Sequence, residues 1–204
     1  GSHDDDRSDV SGAAEASGTR CPEIVPTSRS ESPSMFQFTL LNAAARAALP
    51  ALLDVSFGPD REKKIAYRFR DHVDEDKRFG MAAWDGDLMI GAIQYWPCQA
   101  GGVDAMLLGP LAVAPSYRGR GAARALVNQS LQKVADAGID LVVLIGDPKL
   151  YLQYGFTPAS GQGLWIEGEP DSRVQMKPLT AAGRSASGQV MPMQALRRRQ
   201  RSAG

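Results

Sequence analysis

The stretch LLGPLAVAPSYRGRGAARALV, residues 107–127, decides the fold. It reads as an apolar strand, then a glycine-rich turn, then the first turns of an amphipathic helix. Gly119 and Gly121 leave the main-chain N–H groups of the turn uncovered, and a helix N-terminus carries about half a positive charge. Such a turn favours an anionic ligand, for example a pyrophosphate. The stretch therefore predicts a phosphate-binding loop that lacks a lysine.

Two familiar phosphate-binding motifs do not fit this turn. A P-loop needs Gly-x-x-x-x-Gly-Lys-Ser/Thr, and a dinucleotide fingerprint needs Gly-x-Gly-x-x-Gly, so both are excluded here. The turn instead places Arg118, Gly121 and Ala123 in the spacing Arg-x-x-Gly-x-Ala. This spacing resembles the Arg/Gln-x-x-Gly-x-Gly/Ala signature with which the GNAT N-acetyltransferases bind acetyl-CoA.

The resemblance extends beyond the turn. It covers residues 36–179, most closely 109–158, where LAVAP at 111–115 and YLQYGF at 151–156 fall at the expected places. The chain resembles in particular the bacterial subgroup of predicted acetyltransferases. The implied fold is α/β (α+β), with a mixed, mostly antiparallel sheet, helices on both faces, and strands four and five parallel and splayed around acetyl-CoA.

The hydrophobic pattern independently predicts the parallel pair. Strand four spans 104–114, and the helix after the turn ends near Gly138. Strand five, 140–146, is apolar on both faces, and a strand, helix and strand in this order favour a right-handed parallel crossover. Gly109-Pro110 lies inside strand four, where proline cannot donate a ladder hydrogen bond, so we expect a bulge or splay there.

The residues before strand four predict two helices and three strands. Asn42 is placed to cap a helix that runs to residue 57 and is interrupted or restarted at Pro50. Asp85-Gly86 is typical of a hairpin turn. The predicted strands span 35–41, 79–84 and 88–96, and a second helix spans 61–70.

Composition predicts one compact domain with two loose ends. Of the 204 residues, 43% are hydrophobic, which suits a single α/β core. Residues 1–34, including the tag remnant Gly1-Ser2-His3, are too polar to pack and are predicted to be disordered. We expect the acetyltransferase domain at 35–180 and a flexible basic tail at 181–204.

Charge, cysteine and histidine usage narrow the function classes. The formal net charge is +0, so no global field favours a membrane or nucleic-acid partner. The basic run at 196–201 could contact nucleic acid or an acidic partner, but a solvated tail is the favoured interpretation. Cys21 lies in a polar tail and Cys98 at a predicted strand end, so we expect no disulfide framework, and a cytoplasmic location is expected. His3 and His72 are too few for a histidine metal site, so no metal is expected.

The resemblance implies the site residues. The main-chain N–H of Leu111 faces the thioester carbonyl, Val113 binds the pantetheine amides, and Tyr151 donates a proton to the leaving sulfur. Arg124 either binds phosphate or is a surface helix residue, and Asp147 either contacts CoA or caps the next helix. The cofactor-binding residues predicted in this way are Leu111, Ala112, Val113, Arg118, Gly119, Arg120, Gly121, Ala122, Ala123, Gly146 and Asp147.

The function implied is transfer of an acetyl group from acetyl-CoA, as co-substrate, to a primary amine of a small molecule, peptide or protein in a direct ternary complex. Some family members carry a glutamate base on strand four, but the matching residue here is Leu107. That departure supports the alternative of a non-catalytic acyl-CoA-binding module. A homodimer is one oligomeric state to test.

Two features bear on the acceptor. The acidic stretch around His72 (Asp71, Asp74, Glu75 and Asp76) would favour a cationic acceptor, although it is also typical of a solvated loop. Trp84, Trp96 and Trp165 would suit an aromatic acceptor if they lined one pocket, although tryptophans usually fill cores. Neither feature identifies the acceptor.

Overall fold

This computed structural model describes residues 35–58, 70–71 and 73–193. The predictions made for residues 1–34, for most of the helix at 61–70, for His72 and for 194–204 lie outside this part of the chain. The helices are α1 (Ala43–Phe57), α2 (Ala122–Asp136), α3 (Pro148–Tyr151) and α4 (Ala181–Ser185). The strands are β1 (Gln37–Leu40), β2 (Met81–Asp85), β3 (Leu88–Ala100), β4 (Val103–Val113), β5 (Leu141–Ile145), β6 (Thr157–Pro158), β7 (Leu164–Trp165), β8 (Val174–Pro178) and β9 (Gly188–Pro192).

The strands form a mixed sheet with the order β1-β2-β3-β4-β5-β8-β6. β4 and β5 are parallel, and the other neighbours in this order are antiparallel. β9 pairs with the end of β3 and also with β7. β7 and β9 also pair in parallel. The predicted fold class, a mostly antiparallel sheet that contains a parallel β4–β5 pair, is confirmed.

Helix α1 begins and ends where the sequence predicts. The side chain of Asn42 accepts a hydrogen bond of 2.9 Å from the Ala45 N–H, and Gly58, with φ of +84°, follows the last turn. The predicted interruption at Pro50 is wrong, because the helix continues through it. Pro50 is exposed, so the Arg46 carbonyl that loses its N–H partner can turn to solvent.

The two faces of the sheet are covered differently. Helix α2 buries Leu126, Val127 and Val134 on one face, against a cluster that includes Ile93 and Tyr95 of β3. On the other face, α1 packs on Ala82, Ala92 and Ala112. Further along that same face, a second cluster joins the start of β4 and β5 to the segment 159–190; its members include Cys98, Leu107, Val143, Leu164, Ile166 and Val190.

Residues 181–193 are ordered rather than a flexible tail. Thr180 caps α4 by accepting a 3.1 Å hydrogen bond from the Gly183 N–H, and β9 pairs with residues 98–100 of β3. Ala186 and Val190 are 3% and 2% exposed, so this segment buries apolar surface although Ala, Gly and Ser dominate its composition. The prediction failed here because two short elements carry too few apolar residues to show a period.

Three findings concern location, redox chemistry and metals. No helix in residues 35–58, 70–71 and 73–193 is long and apolar enough to cross a membrane. Cys98 is a buried free thiol, and burial raises its pKa. Within the described chain, no three His, Cys, Asp or Glu side chains lie where they could hold one metal ion.

Candidate active site

The parallel strands β4 and β5 diverge part-way along their length. They pair from Ala105 with Leu141 to Leu107 with Val143, and their pairing stops there. β4 nevertheless continues to Val113 beside β3, and β5 continues to Ile145 beside β8. The divergence leaves main-chain groups of β4 turned toward a gap rather than toward a neighbouring strand.

A bulge in β4 marks the edge of this gap. Ile93 pairs with Leu111 and Tyr95 with Leu108, so Gly109 and Pro110 together lie opposite a single residue of β3, Gln94. The bulge predicted at Gly109-Pro110 is confirmed. The extra residue reverses the alternation of side chains, so that Leu108 before it and Leu111 after it both pack toward α2.

The glycine-rich turn leads from β4 into α2 in an open conformation. Gly119 has φ of +78° and Gly121 has φ of +89°, which side chains other than glycine rarely adopt. A Cβ atom at either position would meet no atom within 4 Å, and no side chain caps the N-terminus of α2. The first N–H groups of α2, from Ala122 and Ala123, therefore point toward free space. We call this open turn, from Gly119 to Ala123, the cradle; its free space and its exposed N–H groups suit a phosphate group.

Three arginines surround the turn, and each has a neighbour. Arg118 donates from Nε to the Val113 carbonyl at 3.3 Å, and the guanidinium of Arg120 lies 5.2 Å from the ring centre of Tyr117. Arg124 donates from Nη2 to Gln153 Oε1 at 2.9 Å and is exposed. Arg118 and Arg120 border the cradle itself, while Arg124 bridges α2 to the segment after α3.

Tyr151 lies at the carboxyl end of β5. A Cβ atom on Gly146 would come within 2.6 Å of Tyr151 Cε2, so the tyrosine ring packs directly on this glycine. The Gly146 N–H donates to the Arg173 carbonyl at 2.8 Å, and the Asp147 side chain caps α3 by accepting from the Lys149 N–H at 2.9 Å. The capping alternative for Asp147 is thus observed, and both residues already have protein partners.

The surroundings of Tyr151 keep its phenol protonated. Burial raises its pKa to about 12, the nearby Tyr154 adds to the rise, and Arg173 opposes it. Its ring packs against Phe156 at a centroid distance of 6.1 Å. Tyr154 is only 7% exposed and belongs to the core beneath α2, which agrees with a packing role.

Comparison with known proteins shows which family the chain belongs to. The sequence profile of the acetyltransferase (GNAT) family matches residues 45–156. The chain belongs to the GNAT acetyltransferase family. Over 119 residues it is 37% identical to "Uncharacterized N-acetyltransferase YhbS" of Escherichia coli strain K12, a match that covers 57% of this chain and 70% of that protein.

Solved structures of GNAT proteins share the fold. The crystal structure of YhbS from Escherichia coli in complex with CoA has a TM-score of 0.66 and 29% identity, covering 79% of this chain and 92% of that one. A GNAT acetyltransferase from Brucella melitensis, in complex with acetyl-CoA, has a TM-score of 0.57 over 79% of this chain and 97% of its own. At 19% identity, this second likeness concerns the fold alone.

The position where some GNAT members carry a glutamate base is apolar here. Leu107 is 2% exposed and packs in the cluster that contains Val143 and Ile166. Asp104, three residues earlier on β4, is exposed. Neither residue offers this GNAT protein a carboxylate in the gap.

The sequence did not predict a polar network that lies on the face of the sheet opposite α2. The Glu75 carboxylate accepts 2.6 Å and 3.2 Å hydrogen bonds from Arg46 of α1 and a 2.8 Å bond from Gln94 Nε2. The Glu75 side chain is only 8% exposed, whereas Asp71 and Asp74 are exposed, so the solvated-loop interpretation fails for Glu75. The available signal was Gln94 itself, a polar residue in an otherwise apolar strand.

The three tryptophans do not line one pocket. Trp84 packs beside α1 and donates to Thr39 Oγ1 at 2.9 Å, and Trp96 donates to the Gly109 carbonyl at 2.6 Å. Trp165 is 43% exposed and lines a separate cleft of about 530 Å³ within 160–171, which contains none of the predicted site residues. Trp96 alone reaches the bulge.

Proposed function

We propose that this GNAT protein transfers the acetyl group of acetyl-CoA directly to a primary amine of a small molecule or peptide. The observation that carries the proposal is the divergence of β4 and β5 after Leu107 and Val143, directly before the open cradle at Gly119 and Gly121. A long ligand with a phosphorylated end fits this combination. The CoA and acetyl-CoA bound to the solved relatives support the same choice.

The main chain would supply most of the CoA contacts. Gly119 to Ala123 would bind the pyrophosphate through N–H groups and the dipole of α2, with Arg118 and Arg120 adding charge. Ala112 and Val113 follow the bulge and would bind the pantetheine arm in the gap. The Leu111 N–H would stabilise the thioester carbonyl oxygen as it gains charge. Gly146 and Asp147 would line the gap on the side of β5. The Gly146 N–H and the Asp147 carboxylate already have hydrogen-bond partners within the protein, so they would add few polar contacts to CoA.

Tyr151 would act on the leaving group. When the amine nitrogen bonds to the acetyl carbon, the carbon–sulfur bond breaks and the sulfur needs a proton. A phenol whose pKa is raised to about 12 is protonated at neutral pH and can give that proton as the thiolate leaves. The excess proton of the amine passes to solvent, since Leu107 occupies the family's base position. Tyr151 regains its own proton from solvent, because its raised pKa favours the protonated phenol.

The buried Leu107 also favours a second candidate, a module that binds acyl-CoA without turnover. The two functions predict the same binding and different chemistry. Binding is tested by melting curves: acetyl-CoA at a hundredfold excess over its Kd should stabilise the fold by about 2.7 kcal/mol, and free acetate should not. An unchanged Tm with acetyl-CoA would contradict both functions.

Turnover then separates the two. A screen of tyramine, spermidine and a peptide with a free N-terminus, with CoA thiol release as readout, should show amine-dependent release above slow hydrolysis. The acetylated amine is then identified by mass. Tight acetyl-CoA binding with no amine-dependent release would establish the binding module instead.

A further inference from the structure

Gln94 is a buried amide in the middle of the sheet. It is 6% exposed, and β3 places it between Ala92 and Trp96, which share its side of the strand and pack away from α2. Ala92 belongs to the apolar cluster that includes α1, and Trp96 packs against the cluster that includes the segment 159–190. Gln94 is therefore a polar residue between two apolar clusters. A buried amide needs hydrogen-bond partners, because burial without them costs free energy.

One end of the amide is fixed by charge. Gln94 Nε2 donates to Glu75 Oε2 at 2.8 Å, and Arg46 holds the same carboxylate. A carboxylate paired with arginine only accepts hydrogen bonds, so the nitrogen of the amide must face Glu75. The orientation of Gln94 is therefore determined, and its oxygen points away from the Glu75–Arg46 pair.

The other end of the amide has an unused acceptor. Gln94 Oε1 has no hydrogen-bond partner among the residues that the structure describes. Ser56 Oγ is the one side-chain polar atom there that is both fully buried and unpartnered, so Gln94 Oε1 is not fully buried. The site thus presents an oriented, slightly exposed oxygen on a nearly buried residue.

The location relates this oxygen to the transfer reaction. Gln94 lies opposite both bulge residues of β4, Gly109 and Pro110. Its neighbour on β3, Ile93, pairs with Leu111. On the same side of β3, Trp96 reaches across to the Gly109 carbonyl. Gln94 therefore lies on the face of the sheet away from α2, whose N-terminus borders the cradle.

We propose that Gln94 Oε1 accepts one N–H of the incoming primary amine and holds its nitrogen lone pair toward the acetyl carbon. The assignment rests on the proposed acetyltransferase function and deepens it. Glu75 and Arg46 are positioning residues, because they fix the amide without touching the substrate. The arrangement selects acceptors that can donate an N–H at the bulge.

The test compares Gln94→Met with Gln99→Met, the same change near the far end of β3, where Gln99 pairs with Asp104. The probes are the amines tyramine, spermidine and a peptide with a free N-terminus. For Gln94→Met, kcat/KM for the amine should fall about three- to tenfold, as expected for one lost hydrogen bond between uncharged groups. The KM for acetyl-CoA should not change.

Each outcome decides the inference. A fall confined to the amine, with Gln99→Met like wild type, supports it. Equal losses in amine and acetyl-CoA kinetics together with a lower Tm would show that Gln94 only supports the sheet, and an unchanged kcat/KM would also overturn the inference. A wild-type chain that binds acetyl-CoA but acetylates none of the three probes contradicts the proposed function, and this inference falls with it.

Discussion

The two halves of the candidate site are built in different ways. The cradle and bulge come from one continuous stretch, residues 107–123, and offer mainly backbone N–H groups. The polar network on the other face joins Arg46, Glu75 and Gln94, which are 29 and 19 residues apart in successive pairs. One half binds through the main chain, and the other works through side chains that only the fold brings together.

The comparison explains which half a sequence can reveal. Binding through main-chain N–H groups requires glycines at fixed places, and here Gly119 and Gly121 both adopt positive φ. Such requirements leave a short pattern that is visible in one chain. A network of side chains from α1, a loop and β3 has no spacing of its own, so its members look like ordinary surface or core residues.

The largest expected effect tests the main-chain half. Gly121→Asp should weaken CoA binding about a thousandfold or more, because a carboxylate would displace the phosphate and cancel about two charge-assisted hydrogen bonds. Calorimetry with CoA measures this change. Gly121 has φ of +89° and open space around its Cβ position, so the substitution mainly strains the backbone.

A matched control lies at the other end of the same helix. Gly138 follows α2, has φ of +77° and also has no atom within 4 Å of a Cβ position. Gly138→Asp should therefore lower stability by a similar amount, about 1 kcal/mol, with CoA affinity unchanged. If both variants bound CoA equally, the turn would not be the phosphate site.

The next largest effect concerns Tyr151. Tyr151→Phe should keep the ring packing on Gly146 and lower kcat about ten- to a thousandfold, the usual contribution of general acid catalysis. CoA affinity should stay at the wild-type value, since the hydroxyl is not part of the cradle. Steady-state kinetics and calorimetry on the same preparation measure the two quantities.

Tyr154→Phe is the comparison variant, because Tyr154 is packed in the core and should lose far less activity. The pH profile gives a second check. Tyr151 must be protonated to act, and its pKa is raised to about 12, so its ionisation should not reduce kcat between pH ~7 and ~10. If Tyr154→Phe lost more activity than Tyr151→Phe, Tyr154 would be the general acid and Tyr151 the packing residue.

The fold was largely predictable because its signals are local or periodic. The β4 bulge, the crossover through α2 and the cap at Asn42 each follow from a few adjacent residues. The continuity of α1 through Pro50 and the pairing of β9 with β3 were missed, since solvent exposure and tertiary burial decide them. In the same way, Glu75 looked solvated because its partner Arg46 lies in another element.

The smallest expected effect tests the side-chain half through its stability. Arg46→Met removes the guanidinium from Glu75, whose side chain is 8% exposed, and should cost about 2 to 3 kcal/mol, less than for a fully buried pair because Arg46 is 30% exposed. Arg78→Met breaks the Asp76 pair, in which Arg78 is 62% exposed, and should cost at most about 1 kcal/mol. Urea unfolding measures both free energies. Equal costs would mean that the Arg46–Glu75 pair is only a surface contact and cannot hold Gln94 in place.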